Sequence, residues 1–395
     1  MRFLSNIISF SLPKHKDVII FDEINSNVIS KVIPKNYSSY ILKTRPVQIV
    51  VTFKIILYFF KYLKDLRIFK RFSPGKSFFK NIFWQLLCIY LKSYIIVSKP
   101  KAVITSIDNC TKFAWLSKNL TVIPFLAVQN GFRLSYDVDN ESMYHCQNLF
   151  CYGEFEAEKF PSRNWTVDNF YPIGSLNASL YLKQTNEEIP NEYDILVVSC
   201  WRGNIGFQKD VEDSMNAMKL FDKEFSEYLS KKNLKAAVIL RSERKSDQWY
   251  MPEIGMNEEE YYKSIYQDKI DIIDTDFSIR NVYPLINKSA VIISGFCSSV
   301  LLEAFGIGKK IMYFDYTYND KYFIDFHEDI VFKKQFDNDY INLDSSLDEL
   351  LKISYEEYTK KFSYLMRYYQ SLDMNRSSQD IIRSKIDEII KLHEY

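Results

Sequence analysis

IDTDFSIRNVYPLINKSAVIISGFCSSVLLEAFGIGKKIMY, residues Ile273–Tyr313, alternates short apolar runs with small-residue turns. A polar segment and a short helix lead to an apolar strand over Ala290–Ser294. A turn of small residues follows (Gly295–Ser299), then a helix start (Val300–Phe305), a stop flanked by Gly306 and Gly308, and a second strand over Lys310–Phe314. A strand that runs through small hydroxyl residues into a helix presents backbone N–H groups and a helix N-terminus to a phosphate. Ser298 and Ser299 are therefore candidate phosphate-binding residues. Glu303 is placed to reach a ribose. The unit points to nucleotide-sugar chemistry.

The same alternation runs through the rest of the chain. Val18–Phe21, Tyr40–Leu42, Ala102–Thr105, Pro124–Gln129, Leu149–Tyr152 and Tyr171–Gly174 read as strands of a first half. Asp194–Ser199, Ala236–Arg241 and Ile270–Ile273 read as strands of a second. Helical patterns cover Val47–Phe69, Phe79–Tyr94, Lys112–Asn119, Asp210–Lys231, Tyr355–Leu372 and Ser378–His393. The strands are short, apolar and rich in β-branched residues, as parallel strands covered on both faces are. The expected fold is α/β, with two Rossmann-like doubly wound domains facing a cleft. Domain limits are expected at 1–180 for the acceptor side, 181–193 for a polar linker, 194–350 for the donor-nucleotide domain and 351–395 for C-terminal helices.

A chain of 395 residues with 47% hydrophobic content suits two domains with real cores. The net charge of +1 gives no nucleic-acid signature, so no nucleic-acid partner is expected. The charge is uneven, because residues 41–100 hold twelve Lys and Arg against one acid, Asp65. A basic, aromatic segment of that kind suits an anionic membrane surface, and peripheral association with an inner membrane is the expectation. No run of about 18 uncharged apolar residues occurs; Val47–Leu63 comes nearest and is broken by Lys54 and Lys61. The N-terminus makes a poor signal peptide, and six cysteines with no CxxC pair read as free thiols in a reducing cytoplasm. Three D-x-D triplets, Asp137–Asp139, Asp274–Asp276 and Asp337–Asp339, are at chance level in so acidic a chain, and no metal or other cofactor is expected.

Several candidates lie at expected strand ends, where α/β sheets place ligands. Asp108 is the carboxylate suited to act as base or nucleophile; its plain alternative is a cap on the helix near Thr111. Glu154, after Gly153, suits acid–base work or acceptor positioning. Glu156 and Glu158 read as a charged helix start. Gln129, Asn130 and Gly131 form a strand-to-turn motif, and Arg133 just beyond is suited to grip a carboxylate with two hydrogen bonds. In the second half Ser199, Arg202 and Arg241 sit at strand ends where a donor phosphate would bind. The alternative for both arginines is a solvated loop charge. His327 reads as a surface-loop residue.

The order of Leu285, Ile286, Ala290, Ile292, Ser298, Ser299, Glu303, Ala304, Gly308, Lys309 and Ile311 resembles the donor region of GT-B-fold bacterial capsule and lipopolysaccharide glycosyltransferases. IDNCTKFAW (Ile107–Trp115), FLAVQNGFR (Phe125–Arg133), FCYGEFEAEKF (Phe150–Phe160) and YPIGSLNAS (Tyr171–Ser179) resemble surface carbohydrate biosynthesis transferases, a relationship that extends to the retaining β-Kdo transferases. The resemblance spans about residues 100–315 and is weak before residue 95. It implies a CMP-linked ulosonic acid donor (Kdo, pseudaminic or sialic type), a glycan or lipid-linked glycan acceptor, Asp108 as nucleophile with retention, donor phosphate at Ser298 and Ser299, and C-terminal helices that cross back to the first domain. Relatives carry an R-P-H-P-like sequence where this chain has Arg241-Ser242-Glu243-Arg244, which puts a histidine role there in doubt. UDP- or GDP-sugar transfer, CDP-glycerol-type transfer, UDP-sugar epimerisation and a non-catalytic glycan-assembly scaffold fit the same architecture.

Overall fold

The computed structural model describes residues 8–11, 15–44, 47, 49–66, 78–134, 144–163, 165–182, 190–201, 209–241, 254–274, 282–333, 342–373 and 375–393. The chain divides into two compact units. The first comprises Met1–Arg133, Asp137–Leu180 and Ser371–Tyr395; the second comprises Leu134–Tyr136 and Tyr181–Gln370.

Strands of the first unit are β1 (Ile8–Ser9), β2 (Val18–Phe21), β3 (Ser39–Leu42), β4 (Ile49–Val50), β5 (Ala102–Thr105), β6 (Phe125–Val128), β7 (Tyr144–Cys151) and β8 (Trp165–Pro172). Its helices are α1 (Ser26–Ile29), α2 (Phe53–Tyr62), α3 (Phe78–Ser98), α4 (Thr111–Asn119), α5 (Glu154–Lys159) and α6 (Leu176–Leu182). Six strands form one parallel sheet in the order β3-β2-β5-β6-β7-β8, and β1 pairs with β4 separately. The runs VIIF, AVIT and FLAV are buried at every position, as strands covered on both faces must be.

β7 and β8 are longer than LFCY and YPIG alone indicate, with eight residues each and a parallel register from Tyr144↔Trp165 to Cys151↔Pro172. The added part of β7 carries Gln147 and Asn148, which the alternation of apolar residues does not mark as strand. Their amides are buried but satisfied: Gln147 Oε1 accepts from Phe125 N at 2.9 Å and its Nε2 donates to Ser117 O at 2.9 Å, while Asn148 Nδ2 donates to Phe125 O at 3.2 Å. The single helix expected over Val47–Phe69 is instead β4, a Thr52 N-cap whose side chain accepts from Ile55 N, then α2 and a 3₁₀ turn over Leu63–Asp65.

The second unit contains β9 (Tyr193–Val198), β10 (Ala236–Ile239), β11 (Asp271–Ile273), β12 (Ser289–Ser294), β13 (Lys310–Asp315) and β14 (Val331–Lys333). They form a second parallel sheet, ordered β11-β10-β9-β12-β13-β14. Its helices are α7 (Lys209–Lys231), α8 (Glu258–Tyr266), α9 (Val282–Asn287), α10 (Ser299–Gly306), α11 (Leu343–Lys352) and α12 (Tyr355–Tyr369). Gly308 ends the α10 turn with φ +89°, and a Cβ there would lie 2.4 Å from the Tyr355 hydroxyl, so both conformation and space call for glycine.

The helix expected to pack on the first domain from residue 351 onward does so only in part. α12 stays in the second unit, where Tyr358 and Phe362 lie with ring centres 6.4 and 6.1 Å from Phe305 and the Tyr358 hydroxyl accepts from Ile311 N at 3.0 Å. α13 (Ser378–His393) belongs to the first unit. Its Ile382, Ile386, Ile389 and Ile390 are buried in one cluster with Val18, Ile20, Ala102, Ile104, Leu126 and Val128. The apolar stripe at helical spacing is thus buried over the first sheet.

Candidate functional site

In each sheet the chain runs outward from a central strand and then restarts on the opposite side, so a topological switch point falls between β2 and β5 and between β9 and β12. Open α/β sheets bind ligands outside the carboxyl ends of strands at such points.

In the first unit, Asp108 follows β5 and is fully buried. It does not cap α4, whose N-cap is Cys110. Instead Arg133 Nε donates to Asp108 Oδ2 at 2.8 Å and Arg133 Nη2 donates to Oδ1 at 2.6 Å, while the Asn130 N–H reaches Oδ1 at 3.3 Å. Asn130 Oδ1 accepts from Arg133 Nη2 at 2.7 Å. The carboxylate, the loop after β6 and the guanidinium therefore form one charge-assisted cluster, with Arg133 partly open to solvent.

Gln129 joins that cluster to a second carboxylate. Its Nε2 donates to Glu156 Oε1 at 2.8 Å and to Gly131 O at 3.0 Å, and its Oε1 accepts from Tyr152 N at 2.8 Å. Glu156 stands in the first turn of α5, as the reading of a charged helix start has it, and is fully buried. Gly153 N donates to Glu156 Oε2 at 2.9 Å in a capping box that starts α5. Burial pushes the Glu156 carboxyl up to about 7, partly offset by the bonds from Gln129 and Gly153. Glu154, the residue singled out from sequence, is exposed in the first turn of the same helix. A Glu three residues beyond the N-cap Gly153 is a capping-box position, and that spacing was the available signal for Glu156. Asp22, after β2, is a further buried carboxylate the sequence did not mark. It has φ +82° and accepts from Ile24 N at 3.1 Å and from the Thr44 hydroxyl.

In the second unit, Gly295–Ser298 connects β12 to α10. Ser298 is the N-cap residue but makes no side-chain cap bond; Ser299 opens the helix, and both are half-buried. Tyr313 fixes the turn by donating its hydroxyl to Ser298 O at 2.6 Å. A Cβ at Gly295 would lie 2.7 Å from the Phe221 ring, so glycine is what permits the close packing of β12 on α7. Glu303 is buried and accepts from the Tyr283 hydroxyl at 2.7 Å. Lys309 donates to Asn287 O at 2.7 Å and Ser289 O at 3.1 Å, and burial lowers its ammonium to about 8.

Ser199, after β9, is turned inward. Its hydroxyl donates to Glu258 Oε1, and it accepts from Tyr262 Oη at 2.9 Å and Trp201 N at 3.2 Å. Glu258 also accepts from Arg241 N at 2.8 Å, and Arg241 Nη1 donates to Trp201 O at 3.2 Å. Glu258 thus ties the loops after β9 and β10 together from a helix that precedes β11; nothing in the local sequence marks it. Beside it, buried Asp222 accepts from Tyr266 and Tyr261 at 2.6 and 2.9 Å, and burial raises its carboxyl to about 7.

Arg202, Ser242, Glu243, Arg244, Asp276 and the Asp137–Asp139 and Asp337–Asp339 triplets lie outside the described residues. His327 caps a 3₁₀ turn on an exposed loop. Among the described residues no group of three His, Cys, Asp or Glu side chains is placed to hold a metal ion.

Two Rossmann-like units, each with a six-stranded parallel sheet, constitute the GT-B fold. Solved structures to which this chain is similar include the wall teichoic acid polymerase TagF in its H548A form, at 14% identity and TM-score 0.50, over 96% of this chain and 90% of that one. They also include a UDP-GlcNAc 2-epimerase from Neisseria meningitidis bound to UDP-GlcNAc (14% identity, TM-score 0.44, 95% and 99% coverage) and a glycosyltransferase from Rickettsia africae ESF-5 (14%, 0.48, 96% and 98%). The likeness is one of fold. No family model and no curated protein matches the chain.

Proposed function

We propose that this chain is a glycosyltransferase of surface polysaccharide synthesis, moving an ulosonic acid of the Kdo, pseudaminic or sialic type from a CMP-linked donor to a glycan or lipid-linked glycan acceptor. The observation that carries the reading is the buried Asp108 carboxylate at the end of β5, oriented on both oxygens by Arg133 and Asn130. A buried, oriented carboxylate at a strand end is what a retaining displacement uses.

In this reading Asp108 bonds to the anomeric carbon as the bond to the CMP phosphate breaks, and the electron pair leaves on the phosphate. The acceptor oxygen then displaces Asp108, with its proton passing to Glu154. Within the second unit, the N–H groups at the start of α10, with Ser298 and Ser299, are suited to a donor phosphate. The resemblance of the first-half segments to β-Kdo transferases supports the CMP donor, and Arg133, expected from sequence to grip a sugar carboxylate, instead spends its two-pronged bond on Asp108 and orients that group.

Release of nucleotide from a panel of CMP-, UDP-, GDP- and CDP-linked donors tests the reading. Turnover of CMP-ulosonic acids alone, lost at least 100-fold in Asp108→Asn, is the expected result. Turnover of UDP-sugars alone discards the donor assignment, and turnover unaffected by Asp108→Asn discards the mechanism.

A further inference from the structure

Large apolar side chains are exposed together on α2 and at the start of α3. On α2, Phe53, Ile56, Leu57 and Phe60 fall at helical spacing on one face, and Phe53 and Phe60 are 75% and 65% exposed, while Ile55 faces the interior. Exposed Lys54 and Lys61, seven residues apart, flank that face, and Lys64 follows. On α3, Asn81, Gln85 and Cys88 are buried, whereas Phe79 and Phe83, one turn apart on another face, are 81% and 70% exposed beside Lys80. The two helices pack on each other, and Lys92 of α3 lies 2.7 Å from Asp65 and 4.2 Å from the Tyr62 ring centre.

Monomeric proteins rarely leave such a set of side chains to water. Charge complementarity identifies the occupant. The segment 41–100 carries twelve cationic side chains against one acid in a chain of net charge +1, and among the described residues Lys54, Lys61, Lys64 and Lys80 are exposed beside the apolar face. That combination matches the boundary between anionic headgroups and acyl chains. By length and composition α3 could cross a membrane, but half of its most apolar window is buried, with Ile89, Leu91, Tyr94 and Ile95 fully enclosed in the first unit. A helix committed to that core is not free to span a bilayer.

We propose that the outer face of α2 and the first two turns of α3 form a monotopic membrane contact, in which Phe53, Leu57, Phe60, Phe79 and Phe83 enter the interface and Lys54, Lys61, Lys64 and Lys80 meet anionic headgroups. The contact is independent of the transferase reading, because it is measured as binding without turnover.

Sedimentation of the full chain with phosphatidylglycerol/phosphatidylcholine vesicles tests it. The expected results are binding at about 0.1 M salt that weakens several-fold, without vanishing, at about 0.5 M, and a loss of about tenfold or more in Phe60→Glu and in Phe79→Glu. Phe60→Trp and Phe79→Trp are each expected to shift emission to the blue on adding vesicles and to be quenched by brominated lipid, while Lys54→Gln/Lys61→Gln weakens binding to anionic vesicles only. All substituted side chains are exposed, so unchanged far-ultraviolet circular dichroism and Tm accompany these results. Absence of wild-type binding, or no tryptophan response, overturns the proposal. So does self-association that Phe60→Glu abolishes without any vesicle binding, which assigns the face to a second copy.

Discussion

Arg133 closes on Asp108 with two hydrogen bonds of 2.6 and 2.8 Å, and Asn130 joins the pair through its backbone N–H and its side-chain oxygen. The ion pair joins the loops after β5 and β6, so its removal is expected to affect stability and, in the proposed mechanism, turnover.

Arg133→Met leaves a buried carboxylate without its partner and is expected to cost about 3 kcal/mol. Arg133→Lys, which keeps the charge but not the two-pronged geometry, is expected to recover much of that stability while activity stays at least tenfold down. Thermal unfolding and donor turnover, measured together, separate the two effects. Equal loss of both in Arg133→Lys would make the pair a purely structural one.

Glu156 and Asp222 carry carboxyls raised by burial to about 7. In the unfolded chain such groups titrate near 4. Between about 4 and about 7 the folded state therefore binds more protons than the unfolded state, so their contribution falls as pH rises through that window and is flat above it. Glu156→Gln removes one such group, worth on the order of 3 kcal/mol across the window. The difference in Tm between about pH 5 and pH 8 is expected to shrink in this variant relative to wild type, which calorimetry checks.

Glu258 receives the Ser199 hydroxyl and the Arg241 backbone N–H. Glu258→Ala leaves buried donors unmatched and is expected to lower stability by about 2–4 kcal/mol. Because both partners sit in loops at strand ends, nucleotide affinity is expected to fall more than in Ser199→Ala. Titration calorimetry with CMP at a temperature where both variants are folded measures this difference.

Gly295→Ala places a methyl 2.7 Å from the Phe221 ring. The expected cost is about 1–3 kcal/mol, partly relieved in the double variant with Phe221→Leu. A double-mutant cycle on unfolding free energies detects the coupling; additive effects would show that the turn accommodates the methyl elsewhere.

The strand ends that carry the candidate residues were legible because they stand beside strong local signals. Asp108, Gln129–Gly131, Ser298 and Ser299 each follow a short apolar run, and an apolar run that stops at small or polar residues marks a strand's carboxyl end. The buried carboxylates Glu156, Glu258 and Asp222 were not legible as such. Their burial depends on groups distant in sequence, Gln129 for Glu156, Ser199 for Glu258 and the tyrosines of α8 for Asp222. Glu154 drew notice by following Gly153 directly, yet the helix turns it to solvent and carries Glu156 inward two residues later.

Local periodicity was enough to establish two α/β halves, parallel strands and the strand–turn–helix at Gly295–Ser299, because hydrophobic alternation and small-residue turns are read over a few neighbouring residues. Long-range packing alone determined that α12 stays with the second sheet while α13 joins the first, that β7 extends through Gln147 and Asn148, and that Asp108 faces Arg133 instead of capping α4. Each of these outcomes depends on a buried surface or polar group finding its partner in a segment far along the chain, and the residues flanking it carry no record of that partner.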